Sequence, residues 1–102
     1  MEITELTQAM HNFVRSMGWY DPHSPRPQTM RNLAISLSLE ASEVLEHFQW
    51  DEQLNDAGSF SDELADVMLY LLQLASLSGI DLEKAVINKL DKNYRRTWDV
   101  KG

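Results

Sequence analysis

The chain has 102 residues, of which 43% are hydrophobic and 25% charged, a composition typical of one folded domain rather than of a disordered segment. Sixteen Asp and Glu against nine Lys and Arg leave a formal net charge of −7, which argues against a nucleic-acid partner. The absence of cysteine excludes disulfides and thiolate metal sites. Neither a secretory signal nor an apolar run long enough to cross a membrane is visible, so a cytoplasmic protein without a membrane partner is expected.

Apolar residues at helical spacing predict four helices, over about residues 4–17, 28–50, 60–77 and 82–94. Gly18 is expected to end the first helix and Gly79 the third, and three prolines in residues 22–27 predict an extended loop before the second. Ser59 or Ser61 is expected to cap the third helix, and Asp81 the fourth. Residues 95–102 are expected to be irregular.

The third predicted helix is apolar on nearly every face, because hydrophobic side chains fill most positions of residues 67–77. A domain of this length has too few other helices to cover such a helix completely. We therefore expect an all-α, four-helix bundle-like domain over residues 1–102 that forms a homo-oligomer, a dimer or tetramer, with the third helix near the subunit contact.

Two pairs of acidic residues interrupt the apolar pattern of the second and third helices. Glu40 precedes Glu43, and Glu63 precedes Asp66, by three positions, which places both carboxylates of each pair on one helix face. Like charges in this arrangement repel each other, whereas a hard divalent cation with oxygen ligands makes it attractive. Facing each other across a helix contact, the two pairs would form a four-carboxylate site for Mg²⁺, with Mn²⁺ as a possible substitute.

A solvated surface pair is the commoner explanation of a single Glu-x-x-Glu motif. Here, however, the first pair lies among Leu37, Leu39 and Val44, and a buried cluster of like charges is costly unless a cation or proton neutralises it. His47 follows Glu43 by four positions rather than three, which disfavours the Glu-x-x-His spacing of di-iron bundles.

The stretches LEASEVLEHFQW (residues 39–50) and DELADVMLY (residues 62–70) resemble the MazG-like all-α nucleoside triphosphate pyrophosphohydrolases. The similarity is greatest to their short single-domain branch, which includes the dCTP pyrophosphatases. It extends to Arg31-Asn32-Leu33 and to residues 81–93, and covers most of the chain from Trp19 to Arg96. The resemblance implies Mg²⁺-dependent cleavage of nucleoside triphosphates, favouring dNTPs such as dCTP, to a monophosphate and pyrophosphate, with a possible role in clearing the nucleotide pool.

By the same resemblance, the metal ligands are Glu40, Glu43, Glu63 and Asp66. Glu46, one turn beyond Glu43, is a candidate to orient or deprotonate the attacking water, and a plain surface glutamate is the equal alternative.

The candidates for substrate contact fall into two groups. Trp19, His23 and Trp50 are expected to stack against or hydrogen-bond the base, Asn32 to contact its edge, and Tyr70 to pack under the sugar. Core packing is the alternative for Trp50 and for Tyr70.

Lys89 and Asn93, one helical turn apart, are expected to meet the triphosphate, with Arg96 a weaker candidate. The run Arg96-Thr97-Trp98 replaces a Tyr-Pro-like segment of the dCTP pyrophosphatases, which makes a phosphate contact from this end less secure. Two other functions stay open at this stage: a non-catalytic helical oligomer that binds a nucleotide or a partner helix, and a purely structural bundle.

Overall fold

The computed structural model describes residues 1–97. Within them it has four helices: α1 (Ile3–Ser16), α2 (Met30–Glu46), α3 (Ala57–Leu77) and α4 (Leu82–Arg95). This part of the chain contains no strand, so the expected all-α class with four helices is confirmed. Residues 98–102, which the sequence analysis includes in the domain as an irregular end, lie outside the described range.

The starts of the helices follow from side-chain caps. Thr29 Oγ1 accepts a hydrogen bond from the backbone nitrogen of Asn32 at 3.1 Å, so α2 begins two residues later than predicted. Asp81 caps α4 as predicted. The predicted serine cap of α3 is wrong, because Asp56 accepts from the backbone nitrogen of Ser59 at 3.0 Å and starts the helix three residues earlier.

The ends of α1 and α3 lie at glycines, as predicted. Gly18 and Gly79 have φ angles of 74° and 73°, a left-handed conformation that a residue with a Cβ adopts only with strain.

The end of α2 differs from the prediction, because the helix stops at Glu46 instead of continuing to Trp50. Backbone hydrogen bonds between residues three apart tighten the next stretch into a turn, with Phe48 N donating to Leu45 O at 3.0 Å. The Phe48 ring then meets the edge of Phe60 on α3, with centroids 5.7 Å apart. The apolar periodicity of α2 continues beyond Glu46, but the helix ends there, next to the packed pair of Phe48 and Phe60.

α3 is the central element, because α1, α2 and α4 all pack against it and its most extensive contact is with α2. The core lies between α1 and α3, where Met10, Val14 and Leu72 are buried and Trp19 and Met68 pack against them. α4 is bent by 101° from α3 and has no buried residue, so α1–α3 form the compact part of a molecule that measures 55 × 36 × 28 Å.

Within residues 1–97 no single helix is long and apolar enough to cross a membrane. Only α3 and α4 taken together meet the length and hydropathy condition, and that pair is sharply bent.

Candidate active site

The contact between α2 and α3 brings the two predicted acidic pairs into one cluster. The charges of Glu43, Glu63 and Asp66 all act on the carboxyl group of Glu40. Glu40 and Glu63 are half-buried, whereas Glu43 and Asp66 are exposed. The cluster therefore has a sheltered side and a side open to solvent.

Glu40 is the electrostatic centre of this cluster. Burial, a hydrogen bond to Glu43 and the charges of the other three acids raise the pKa of Glu40 from 4.5 to about 7. No donor within residues 1–97 reaches its Oε2, which is buried. A buried carboxylate oxygen without a donor has the chemistry of a group that takes a proton or a cation.

Glu63 has a second partner that the sequence analysis did not assign to the site. His47 Nε2 forms a hydrogen bond with Glu63 Oε2, and both side chains are largely buried. The His47 ring also meets the edge of Phe60, with centroids 5.3 Å apart. His47 therefore orients one carboxylate of the cluster.

The four acids suit a hard cation by donor type, since all their ligand atoms are oxygens and one of them is buried without a donor. In the part of the chain that the structure describes, no three His, Asp or Glu side chains converge in metal-ligand geometry. By donor type the four residues fit a hard divalent cation.

A cavity of about 710 Å³ lies beside the acid cluster, and Glu40 and Asp66 form part of its wall. Its volume lies in the usual range for small-molecule and cofactor sites. Three of the predicted substrate residues, Trp19, Asn32 and Tyr70, also line it. The fold therefore places carboxylates and a mostly apolar pocket side by side, as a phosphate-bearing ligand with a flat base requires.

Two of these wall residues are held by neighbours in α1 and in the loop before α2. The Trp19 ring lies edge-on to Phe13 with centroids 5.6 Å apart, and the guanidinium of Arg26 stacks 4.8 Å from the Trp19 centroid. Asn32 Nδ2 donates to the Pro27 carbonyl oxygen at 3.0 Å. The loop thus fixes the aromatic and amide positions of the pocket.

Other predicted site residues do not line this cavity within a single chain. His23 is exposed in the loop, and Trp50 is 89% exposed beyond the end of α2. Glu46 is exposed at the last position of α2 and is not among the charges that raise the pKa of Glu40.

The three predicted phosphate contacts lie on or next to α4. Lys89 is exposed, while Asn93 and Arg96 border a separate cavity of about 400 Å³. The main contact of α4 is with α3, and none of these three residues lines the cavity that Glu40 and Asp66 border. Their roles, like those of His23, Trp50 and Glu46, stay predictions.

A hydrogen-bond network behind the cavity, buried at Gln73 and exposed at Ser76, was also missed by the sequence analysis. Gln73, only 3% exposed, donates from Nε2 to Gln28 Oε1 at 2.8 Å and to Tyr20 Oη at 3.2 Å. Tyr20 Oη is 2.6 Å from His11 Nδ1, and His11 Nε2 is 2.7 Å from Ser76 Oγ. The network joins α1, the following loop and α3, and no local pattern in the sequence marks it.

Comparison with known proteins agrees with this geometry. A family model described as "MazG-like family" matches residues 35–101, which include both acidic pairs. A crystal structure of a pyrophosphatase from Archaeoglobus fulgidus superposes with a TM-score of 0.75 at 36% identity, covering 91% of this chain and 89% of the other.

Similar sequences have related activities in their names. The chain is 34% identical to dCTP pyrophosphatase 1 of Rattus norvegicus and 36% identical to that of Homo sapiens, in each case over 82% of this chain and 52% of the relative. A dATP/dGTP diphosphohydrolase of Salmonella phage PMBT28 is 36% identical over 79% of this chain and 24% of the relative. The chain thus spans about half the length of the dCTP pyrophosphatases it matches.

Proposed function

Because this chain belongs to the MazG-like family, we propose that it is a nucleotide pyrophosphohydrolase that converts nucleoside triphosphates, and dNTPs in particular, to a monophosphate and pyrophosphate. The observation that supports this most directly is the acid cluster of α2 and α3 at the wall of a nucleotide-sized cavity. The relatives named dCTP pyrophosphatase favour dCTP or a similar nucleotide as substrate. Clearing of surplus or non-standard nucleotides is the corresponding cellular role, and a cytoplasmic location stays a prediction.

In this proposal Glu40, Glu43, Glu63 and Asp66 hold Mg²⁺, with Mn²⁺ as a substitute. When bound, Mg²⁺ neutralises phosphate charge and makes an attacking water more acidic. The Oε2 of Glu40 is buried and accepts no hydrogen bond, so it gains most from binding a cation. The hydrogen bond from His47 holds the carboxylate of Glu63 in a defined orientation. Glu46 remains a candidate to orient or deprotonate the water, from the exposed end of α2.

The cavity wall holds the rest of the nucleotide. Trp19 contributes an aromatic ring to this wall, Asn32 an amide, and Tyr70 an aromatic side chain from α3. In this proposal Trp19 stacks against the base, Asn32 contacts its edge and Tyr70 packs under the sugar.

We also propose that the protein acts as a homo-oligomer, a dimer or tetramer. Large apolar side chains remain exposed on a single chain, including Leu39 at 62% and Leu45 at 71% on α2. Three residues of α4 are likewise exposed: Val86, Ile87 and Leu90. Soluble monomers rarely expose extended apolar surfaces to solvent, so these residues favour association. Association would cover these surfaces and would offer Lys89, Asn93, Arg96 and Trp50 a place at a neighbouring site. A monomer by light scattering at micromolar concentration would contradict this assembly.

Pyrophosphate release from a panel of canonical and modified nucleotides, with Mg²⁺ and with EDTA, tests the reaction. The expected result is release of pyrophosphate without orthophosphate, dependent on metal and lost in Glu63→Gln while the helical circular dichroism is retained. Glu52→Gln, at an exposed loop position away from the cluster, is the matched control and should keep wild-type activity. A folded, metal-bound protein that turns over no nucleotide would instead favour the non-catalytic binding role.

A further inference from the structure

Gln73 is the buried polar residue of the cavity wall, and its amide belongs to the network behind the cavity. Both hydrogens of its Nε2 are used, one toward Gln28 Oε1 at 2.8 Å and one toward Tyr20 Oη at 3.2 Å. An amide held by two donated bonds has a fixed plane, so its oxygen also has a fixed direction.

The polarity of this amide is set by a backbone carbonyl. Gln28 Nε2 donates to the Arg26 carbonyl oxygen at 2.7 Å, and a carbonyl oxygen accepts but never donates. The other end of the Gln28 amide must therefore be the oxygen that faces Gln73, and Gln73 must present its nitrogen to it. Turning over either amide would bring two oxygens or two NH₂ groups together, so Gln73 Oε1 is confined to the opposite side.

The rest of the network agrees with this direction. Because Tyr20 Oη accepts from Gln73, its own hydrogen is directed to His11 Nδ1 at 2.6 Å, and His11 Nε2–H then donates to Ser76 Oγ. This order needs a protonated tyrosine and a neutral histidine. Burial raises the pKa of Tyr20, while burial and the nearby Arg15 lower the pKa of His11, so both groups keep those forms at neutral pH.

Gln73 Oε1 accepts no hydrogen bond from a donor among residues 1–97. It is also not one of the side-chain atoms in this range that are both inaccessible to solvent and without a hydrogen-bond partner. It therefore keeps access to solvent, and the cavity is the open space that Gln73 borders. The network thus holds one hydrogen-bond acceptor in a fixed direction, facing the cavity from a wall that is otherwise mostly apolar.

The position of this acceptor relative to the acids matches the length of a nucleoside. Gln73 follows Asp66 by seven residues, which is two helical turns on the same face of α3, or about 10 Å along the axis. Tyr70 lies between them and lines the same cavity. A nucleotide whose phosphates lie at the acid cluster would direct its base toward Gln73.

Resting on the function proposed above, we propose that Gln73 Oε1 determines base specificity by accepting a hydrogen bond from an exocyclic amino group of the base. Cytosine and adenine carry such a group where uracil and hypoxanthine carry a carbonyl oxygen. A carbonyl oxygen there would face Gln73 Oε1, leaving two acceptors together without a proton between them, and the pocket would reject that base.

A purely structural role, in which Gln73 only joins the loop to α3, makes a different prediction for the same variants. Gln73→Met keeps the length of the side chain and removes the acceptor. Gln28→Met keeps the acceptor but releases the amide to turn either way. Tyr20→Phe removes another bond of the network and leaves the anchor between Gln28 and Gln73 intact.

The experiment measures kcat/KM for two amino-to-carbonyl pairs, dCTP against dUTP and dATP against dITP, in the wild type and these three variants. We expect the wild type to favour the amino member of the better-used pair and Gln73→Met to lower that ratio about tenfold, as for loss of one hydrogen bond of about 1.4 kcal/mol. Gln28→Met should lower the ratio less, and Tyr20→Phe should keep it.

The inference is overturned if the wild type favours the carbonyl members, if Gln73→Met leaves the ratio unchanged, or if Tyr20→Phe lowers it as much as Gln73→Met does. If Gln73→Met fails to fold, the kcat/KM ratios of Gln28→Met and Tyr20→Phe test the inference instead. Gln28→Met should lower the ratio and Tyr20→Phe should keep it, and equal ratios in the two variants would overturn the inference. If no nucleotide yields pyrophosphate, the proposed function fails by itself. Calorimetric binding of dCMP against dUMP then tests the inference separately, and equal binding of the two would overturn it.

Discussion

Replacing Glu40 by glutamine is expected to stabilise the metal-free protein, although the change removes a proposed metal ligand. The pKa of Glu40 rises from 4.5 to about 7 on folding, because of burial and three neighbouring acids. At about 1.4 kcal/mol per pH unit, this rise sets an upper limit of about 3.5 kcal/mol on the free-energy cost of ionising Glu40 in the folded state. Because Glu40 is only half-buried and solvent screens part of this cost, we expect a gain of about 1–2 kcal/mol for Glu40→Gln.

The gain should depend on pH in a defined direction. Between pH 4.5 and about 7 the folded protein holds a proton that the unfolded chain has released, so wild-type stability falls as pH rises through this window. Above pH 7 the full cost is present, whereas at pH 5 most of it is absent. The difference in free energy of unfolding between Glu40→Gln and the wild type should therefore be large at pH 8 and small at pH 5.

Urea unfolding in EDTA at pH 5 and pH 8, followed by circular dichroism, measures this difference, with Glu52→Gln as the exposed control. Equal stabilisation at both pH values, or none at pH 8, would refute the electrostatic reasoning. Addition of Mg²⁺ should narrow the difference in free energy of unfolding at pH 8, because a cation at ten times its Kd stabilises the wild type by about 1.4 kcal/mol and the variant by less. A variant stabilised by Mg²⁺ as much as the wild type would exclude Glu40 as a ligand.

Three further predictions concern the scaffold. Leu72→Ala, at a residue only 1% exposed in the core, should lower the free energy of unfolding by about 3 kcal/mol in urea titrations, and a loss below about 1 kcal/mol would contradict the assigned core. Asp56→Ala should cost about 1 kcal/mol through loss of the α3 cap, whereas Asp56→Asn should cost much less, and equal losses would exclude capping as the reason. The pKa of His11 is lowered in the folded protein, so the unfolded chain takes up the proton first as the pH falls. In thermal melts, the stability of the wild type relative to His11→Gln should therefore fall as the pH drops below 6.5, and a constant difference from pH 5 to 8 would argue against a partly buried, neutral His11.

Much of this architecture was predictable from local sequence patterns. Apolar spacing located all four helices, and glycine and aspartate positions explain the ends marked by Gly18, Gly79 and Asp81. The predicted α2 was too long because its apolar periodicity continues through residues 47–50. In the structure these residues form a turn, in which Phe48 contacts Phe60 of α3. Periodicity describes which face a side chain occupies on a helix and not whether a distant segment interrupts that helix.

The candidate site divides in the same way. The three-residue spacing of Glu40 with Glu43 and of Glu63 with Asp66 was sufficient to place each pair on one face, because helix geometry is local. Packing of α2 on α3 then joined the pairs and gave Glu40 its raised pKa.

The sequence by itself therefore determined the helices, the paired acids and, through its resemblance, the family, all of which depend on residues close together along the chain. Only the tertiary structure decided that His47 meets Glu63 and that Gln73 meets Gln28 and Tyr20, across separations of 16, 45 and 53 residues. It also decided that Trp19 lines the cavity while Trp50 faces solvent. Hydrogen-bond direction and burial depend on which segments pack together, and no spacing within one helix encodes that choice.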